Sequence, residues 1–153
     1  MVARGGHLPA ALASDKIEVA AIVDPAPSRA ENLARSCGIS ARIAGRVEDV
    51  LDFIDGAVIA TPNATHKEIA VACLLAGVST LIEKPLATTV ADAEAIVEAG
   101  QQSGAVVAVG YYLRFWPNYE AAAGIVARGV FWTGNSLCPS VRDRRRLGPY
   151  VGV

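Results

Sequence analysis

The chain has 153 residues, 52% hydrophobic and 19% charged, with a formal net charge of -1. That length and apolar share allow one domain with a sizeable core and exclude an intrinsically disordered chain. Without an excess of Lys and Arg, nothing draws the chain to nucleic acid or an anionic membrane. From the N-terminus, the first clear element is a strand at Glu18–Val23, rich in valine and isoleucine and ended by Asp24-Pro25-Ala26-Pro27. Ser28 and Glu31 have capping-box spacing, which predicts a helix to about Ser36 stopped by Gly38. Ser40–Ile43 reads as a short strand and Glu48–Phe53 as a short helix.

The next unit is clearer. Ala57–Thr61 is a strand, followed by the turn Pro62-Asn63. Thr65 and Glu68 repeat the capping box. Ile69, Ala70, Cys73 and Leu74 then form one apolar helix stripe, closed by Gly77. Val78–Ile82 is the following strand. Thr89 and Asp92 open another helix, with Val90, Ala93, Ile96 and Val97 expected inward and Gly104 at its end. Ala105–Tyr111 is the last strong strand. Strands alternating with helices imply a parallel sheet with helices on both faces. No apolar stretch is long enough to cross a bilayer, the longest being Ala105–Leu113. The start, Met1 to His7, lacks the apolar core of a signal peptide. Cys37, Cys73 and Cys138 are scattered without metal-ligand spacing. They predict free thiols in the cytoplasm and no metal site.

In a doubly wound sheet, ligands sit at the carboxyl ends of the strands, so the polar residues there carry the chemistry. Asp24 is either a carboxylate for both ribose hydroxyls of an adenosine, repelling a 2′-phosphate, or a turn carboxylate before Pro25. Thr61, Pro62, Asn63, Thr65 and His66 bring small polar groups and free helix N–H groups to the same crevice, which suits a pyrophosphate or ribose. Helix capping is the competing reading for Thr65. His66 taken alone reads as a solvated first-turn residue. Glu83-Lys84-Pro85 is the sharpest feature. A lysine at a strand end can hold a substrate hydroxyl or polarise a carbonyl oxygen, and the alternative is a surface Glu–Lys pair of little energetic worth.

These segments together resemble the Gfo/Idh/MocA oxidoreductase family. The resemblance rests on Ala57-Val-Ile-Ala-Thr-Pro-Asn-Ala-Thr-His66, Ala76-Gly-Val, Glu83-Lys-Pro-Leu-Ala87 and Gly110-Tyr-Tyr-Leu-Arg-Phe-Trp-Pro117. It covers about Val2 to Ala127. The resemblance implies a Rossmann-like, doubly wound α/β domain over 1–113. Residues 114–153 would be the start of a substrate domain and an irregular tail. It implies NAD as cofactor, with NADP kept open because Arg29 is near enough in sequence to Asp24 to meet a 2′-phosphate. In that family the residue matching Asp24 contacts the adenosine ribose. Thr61, Pro62, Asn63 and His66 would line the cofactor site. Lys84 would lie near nicotinamide and substrate as the catalytic residue, with Glu83 close to the nicotinamide. Arg114 would sit where the chain leaves the first domain. The implied partner is a small-molecule substrate, a sugar or polyol such as a cyclitol, in a homo-oligomeric cytoplasmic enzyme.

The sequence departs from the family pattern at both ends. Ala3 matches the last position of the G-x-G-x-x-[GA] fingerprint, while the two earlier glycines and the first strand have no counterpart. That strand is expected at the centre of the sheet, between the strands ending at Asp24 and Thr61. Past about Val130 the family would continue into a long substrate domain with a second, Asp-x-x-x-His-like motif. Here the chain reads Phe131 to Ser140, then the basic run Val141-Arg-Asp-Arg-Arg-Arg146. The expectation is therefore a fragment, poorly stable and catalytically silent, whose tail reflects a reading-frame slip or a misassembled gene end. The rivals are a non-catalytic dinucleotide-binding module and a product without function.

Overall fold

The computed structural model describes residues 3–127, so the irregular tail and its basic run lie outside the described residues. The chain divides into two compact units, Met1–Gly110 and Tyr111–Val153. The first opens with a π-helical turn, Ala3–His7, leading into α1 (Leu8–Leu12). It continues through β1 (Ala21–Val23), α2 (Pro27–Cys37), β2 (Arg42–Ala44), β3 (Gly56–Ile59), α3 (His66–Leu75), β4 (Ser79–Ile82), α4 (Val90–Ser103) and β5 (Val107–Val109). Every pairing is parallel, as helical crossovers require. The strands do not form one sheet. β1 pairs with β2, with Ile22 opposite Ile43, and β3-β4-β5 make a separate three-stranded sheet, with Leu81 between Val58 and Ala108. Among the described residues, β1 pairs with β2 alone and β3 with β4 alone.

The core lies on the three-stranded sheet. Ile59, Ala70, Leu74, Ile82, Ile96 and Ala99 form one buried cluster drawn from β3, α3, β4 and α4. The stripe expected on α3 is buried at Ala70, Cys73 and Leu74, with Ile69 packed against the cluster. The two-stranded sheet and α2 bury smaller groups, Ala30, Ala34 and Ala44. The stripe expected on α4 is only partly correct. Ile96 is fully buried, but Val90 is 74% and Val97 44% exposed. The buried line of this helix runs Ile96, Ala99, Gly100, so the inward face is rotated from the one expected.

The expected turn chemistry holds at the helix ends more than at the starts. Gly38, Gly77 and Gly104 all adopt positive φ. Thr89 caps α4 by accepting the Asp92 N–H at 3.1 Å, as its spacing predicts. The other two capping boxes do not form. Ser28 lies inside α2, which begins at Pro27, and the cap position Ala26 has no side chain to offer. The Asp24 carboxylate takes over locally, accepting the Ala26 N–H at 2.8 Å. Thr65 makes no cap bond either; its hydroxyl lies 2.8 Å from both the Thr61 hydroxyl and the Pro62 carbonyl oxygen. The short helix expected at Glu48–Phe53 is a single 3-10 turn, Val47–Asp49. Each strand is shorter than its apolar run, because ladder pairing ends where the neighbouring strand does.

The second unit is described from Tyr111 to Ala127. A 3-10 turn at Tyr112–Phe115 precedes α5 (Pro117–Ala127), with Pro117 at the first helical position. The Tyr112 ring meets Trp116 edge-to-face, centroids 6.2 Å apart. No helix among the described residues is long and apolar enough to cross a membrane.

Candidate cofactor site at the strand ends

The carboxyl ends of β1, β3, β4 and β5 carry the polar residues singled out in the sequence. The ladders extend one residue past the strands to place them. Asp24 N–H donates to Ala44 O at 3.1 Å, Glu83 N–H to Ile59 O at 2.9 Å, and Gly110 N–H to Ile82 O at 2.8 Å. Asp24 is half-buried. One oxygen of its carboxylate is engaged by the Ala26 N–H, so the carboxylate is held in a fixed orientation with acceptor capacity to spare. Thus Asp24 acts as the turn carboxylate its sequence allowed and remains able to receive a pair of hydroxyls.

After β3, Thr61 is half-buried while Pro62 and Asn63 are exposed. Asn63 opens a 3-10 turn, Asn63–Thr65, that leads into α3, and no side chain caps either element. The turn's first N–H groups are thereby left to an outside acceptor. His66, expected as a solvated first-turn residue or as part of the cofactor lining, is fully buried. Its Nδ1 lies 3.0 Å from Pro85 O and its Nε2 3.0 Å from Thr61 O. The ring sits beneath the two turns because a side chain at the first turn of a helix points back along the chain.

After β4, Glu83 and Lys84 part company. The Glu83 side chain is buried, with Oε1 2.9 Å from His7 Nε2 and Oε2 accepting the Lys84 backbone N–H at 3.1 Å. The Lys84 side chain is exposed, and its ammonium makes no ion pair among the described residues. The surface Glu–Lys pair is therefore absent. A buried carboxylate stands beside a free ammonium, separated because His7 has taken the acid. Gly110 makes room for it: a Cβ there would stand 3.2 Å from Glu83 Oε1. Sequence reading gave no role to His7 or Gly110. His7 carries no local signal that it meets a residue 76 positions away, and the glycine's purpose is visible only from the neighbouring strand.

The remaining candidates are Ala3, Arg29 and Arg114. Ala3 begins the N-terminal helical turn, half-buried. Arg29 is exposed on the first turn of α2, five residues after Asp24. Arg114 belongs to the second unit, on the 3-10 turn Tyr112–Phe115. A shallow open depression lined by Val90, Ala93, Glu94, Val97, Glu98 and Gln101 belongs to α4 alone and contains none of the strand-end residues.

Comparison with known proteins gives a consistent result. Residues 3–111 match a family model, GFO_IDH_MocA, described as "Oxidoreductase family, NAD-binding Rossmann fold". The chain is 32% identical over 115 residues to 4-carboxy-2-hydroxymuconate-6-semialdehyde dehydrogenase of a Sphingobium strain, covering 74% of this chain and 36% of that protein. It is 31% identical over 117 residues to scyllo-inositol 2-dehydrogenase (NAD(+)) of Bacillus subtilis, covering 72% and 34%. Among solved structures, the 3-ketoreductase KijD10 of Actinomadura kijaniata, in complex with TDP-benzene and NADP, superposes with a TM-score of 0.77 at 26% identity. The match covers 85% of this chain and 41% of that one. The chain thus spans little more than a third of the length of these relatives.

Proposed function

Because this chain belongs to the Gfo/Idh/MocA oxidoreductase family and carries its NAD-binding Rossmann domain, we propose that its strand-end residues hold the dinucleotide for hydride transfer. The substrate carbon would bear a hydroxyl, on a sugar, a cyclitol or a similar small molecule. The relatives named above are dehydrogenases or reductases, one of them acting on scyllo-inositol and one crystallised with a nucleotide-linked compound. The single observation that carries the reading is the separation of Glu83 from Lys84. It leaves the Lys84 ammonium, at the end of the central strand of the β3-β4-β5 sheet, without an ion-pair partner among the described residues.

The residues present fit the cofactor. Asp24 would receive the two adenosine ribose hydroxyls, since a fixed carboxylate with spare acceptor capacity suits a diol and repels a 2′-phosphate. The uncapped N–H groups at Asn63 and Ala64, with the Thr61 hydroxyl nearby, would face phosphate or ribose oxygens. Ala3 would stand at the last position of the Gly-rich turn. Glu83 would stand close to the nicotinamide, Pro62 would line the cofactor site, and Arg114 would sit where the chain leaves the first domain. The bound nicotinamide supplies the hydride chemistry; the protein positions it. Lys84 would hold the substrate oxygen and pass its proton, as a mobile point charge suited to a hydroxyl or carbonyl oxygen. The substrate domain would begin after about residue 113, and the assembled enzyme would be a cytoplasmic homo-oligomer.

Titration with NADH and NADPH by fluorescence tests the reading. We expect tighter binding of NADH, with the preference lost in Asp24→Ala. If Asp24→Ala leaves the ratio of the two affinities unchanged, the role given to Asp24 is wrong. If neither dinucleotide binds the chain, the strand-end site does not function without further polypeptide. Arg29 is exposed on the first turn of α2, so an Arg29→Ala variant that weakens NADPH alone would identify the 2′-phosphate contact.

A further inference from the structure

We propose, on the cofactor and substrate roles already given to Ala3 and Lys84, that His7 is a positioning residue. Through the Glu83 carboxylate it pins the N-terminal helical segment to the end of β4 and so registers that segment with Lys84.

The contact joins two very different surroundings. The turn Ala3–His7 and α1 bury none of their residues, so little packing holds this segment in place. Its other hydrogen bonds among the described residues are local, such as Ala13 N–H to Pro9 O and Ser14 N–H to Ala11 O. The contact of His7 Nε2 with Glu83 Oε1, at 2.9 Å, is the one that reaches the sheet. At that end it meets a side chain that cannot move. Glu83 is buried, its N–H is held by Ile59 O at 2.9 Å, and its Oε2 accepts the Lys84 N–H at 3.1 Å. The bond does not depend on the charge of the ring. Either the imidazole donates its Nε2–H to a carboxylate, or a carboxyl proton is donated to the ring's lone pair.

What the carboxylate joins gives the tether functional meaning. Its Oε1 holds the N-terminal turn and its Oε2 holds the main chain of Lys84. Ala3–His7 is five residues, about one helical turn, so pinning His7 also fixes the backbone at Ala3. A dinucleotide lying against that turn is thereby set at a defined distance from the ammonium that would hold the substrate oxygen. Gly110 serves the same arrangement from the end of β5. A Cβ there would stand 3.2 Å from Glu83 Oε1 and 3.4 Å from its carboxyl carbon, and would press the acid away from His7. Side-chain reach separates a tether from mere filling of space. The Gln amide nitrogen extends about as far as histidine Nε2, whereas the Asn amide ends near the position of Nδ1 and falls short of Glu83.

The test uses the complete 153-residue chain labelled with nitrogen-15, and its first readout needs no ligand. In the parent, backbone order parameters at Ala10, Ala11 and Leu12 should lie near about 0.85, the range of rigid backbone. In His7→Asn they should fall below about 0.6, and the Lys84 amide resonance should shift while those of α2 stay in place. His7→Gln should keep the parent values. Low order parameters already in the parent, or an unchanged segment and an unmoved Lys84 amide in His7→Asn, would overturn the tether. An equal loss in His7→Gln would overturn the hydrogen bond as its cause. NADH titration is the second readout. Affinity should weaken about tenfold in His7→Asn, the scale of one hydrogen bond to a charged group, and stay within about threefold of the parent in His7→Gln. Full NADH affinity in a His7→Asn chain whose segment has loosened would refute the registering role. A parent that binds no NADH, with its segment rigid and released by His7→Asn, would leave the tether standing and discard the cofactor reading. Should His7→Asn fail to fold, Gly110→Ala reaches the same carboxylate from β5 and should loosen the same segment; an unchanged segment there would overturn the tether.

Discussion

Glu83 shows how a single partner choice sets the character of a site. Its carboxylate is held by His7 and by the Lys84 backbone N–H, over the space at Gly110, and among the described residues the Lys84 ammonium has no ion-pair partner. In an enzyme of this family that carries these residues together with a substrate domain, Lys84→Ala should lower turnover by about 10²–10⁴-fold, the usual range for a general acid–base group, and spare cofactor affinity. Steady-state rates with NADH titration check this, and a variant within about threefold of the parent would remove Lys84 from the chemistry. Cys73 gives a second prediction at this scale. Burial, reinforced by the nearby Glu48 charge, pushes its thiol from 9.0 up to about 11. The folded chain therefore keeps a proton that the unfolded chain gives up above about pH 9. This contribution to stability is complete below pH 9 and is lost as pH rises toward 11. Urea unfolding at pH 8 and pH 10 should show a larger loss for the parent than for Cys73→Ala, and equal losses would contradict the shift. The residue types at the strand ends were legible in the sequence, because strand termini can be located from apolar runs. The partners were not. That His7 meets Glu83 and that His66 lies under both turns are long-range facts, and nothing in local spacing encodes them.

Helices and strands were legible to different degrees for reasons that lie in their ends. Gly38 and Gly104 mark helix stops because only a residue without a Cβ takes a left-handed conformation freely. Capping boxes failed where a competing acceptor stood closer: Thr65 turned to Thr61 and Pro62, and Asp24 served the turn ahead of α2. The inward face of α4 was misread because Val90 and Val97 are apolar, whereas the buried position between helix and sheet is taken by Gly100. A Cβ at residue 100 would stand 2.6 Å from Val107 Cγ2, closer than any side chain tolerates, so the glycine is what lets α4 approach β5. Gly100→Ala gains about 1 kcal/mol in helix propensity. It should still destabilise the fold, since overpacking a stiff β-branched neighbour costs about 1–3 kcal/mol. Thermal melting should show a lower midpoint, restored in part by adding Val107→Ala. A rise in the single variant would mean that α4 is free to shift.

At the scale of the whole molecule, the family resemblance gave the parallel α/β architecture and the order of elements. The division into sheets has a consequence for how the first unit opens. The large buried side chains, Leu74, Ile82 and Ile96, all belong to the β3–α4 half, whereas α2 and β2 bury alanines. Among the described residues, no ladder hydrogen bonds cross from one sheet to the other. Local stability follows buried apolar area and shared hydrogen bonding. The two halves should therefore behave as separate foldons. In native-state hydrogen exchange, amides of β1, α2 and β2 are expected to lose protection in mild denaturant while those of α3, β4 and α4 remain closed. A single exchange isotherm across both halves would contradict this. Dinucleotide binding reads differently in that light. Asp24 lies on the weaker half, and Thr61 and Glu83 on the stronger, so a ligand touching all three would act as a bridge. The free energy of binding would appear as raised protection in the first half, more than as any new contact in the second.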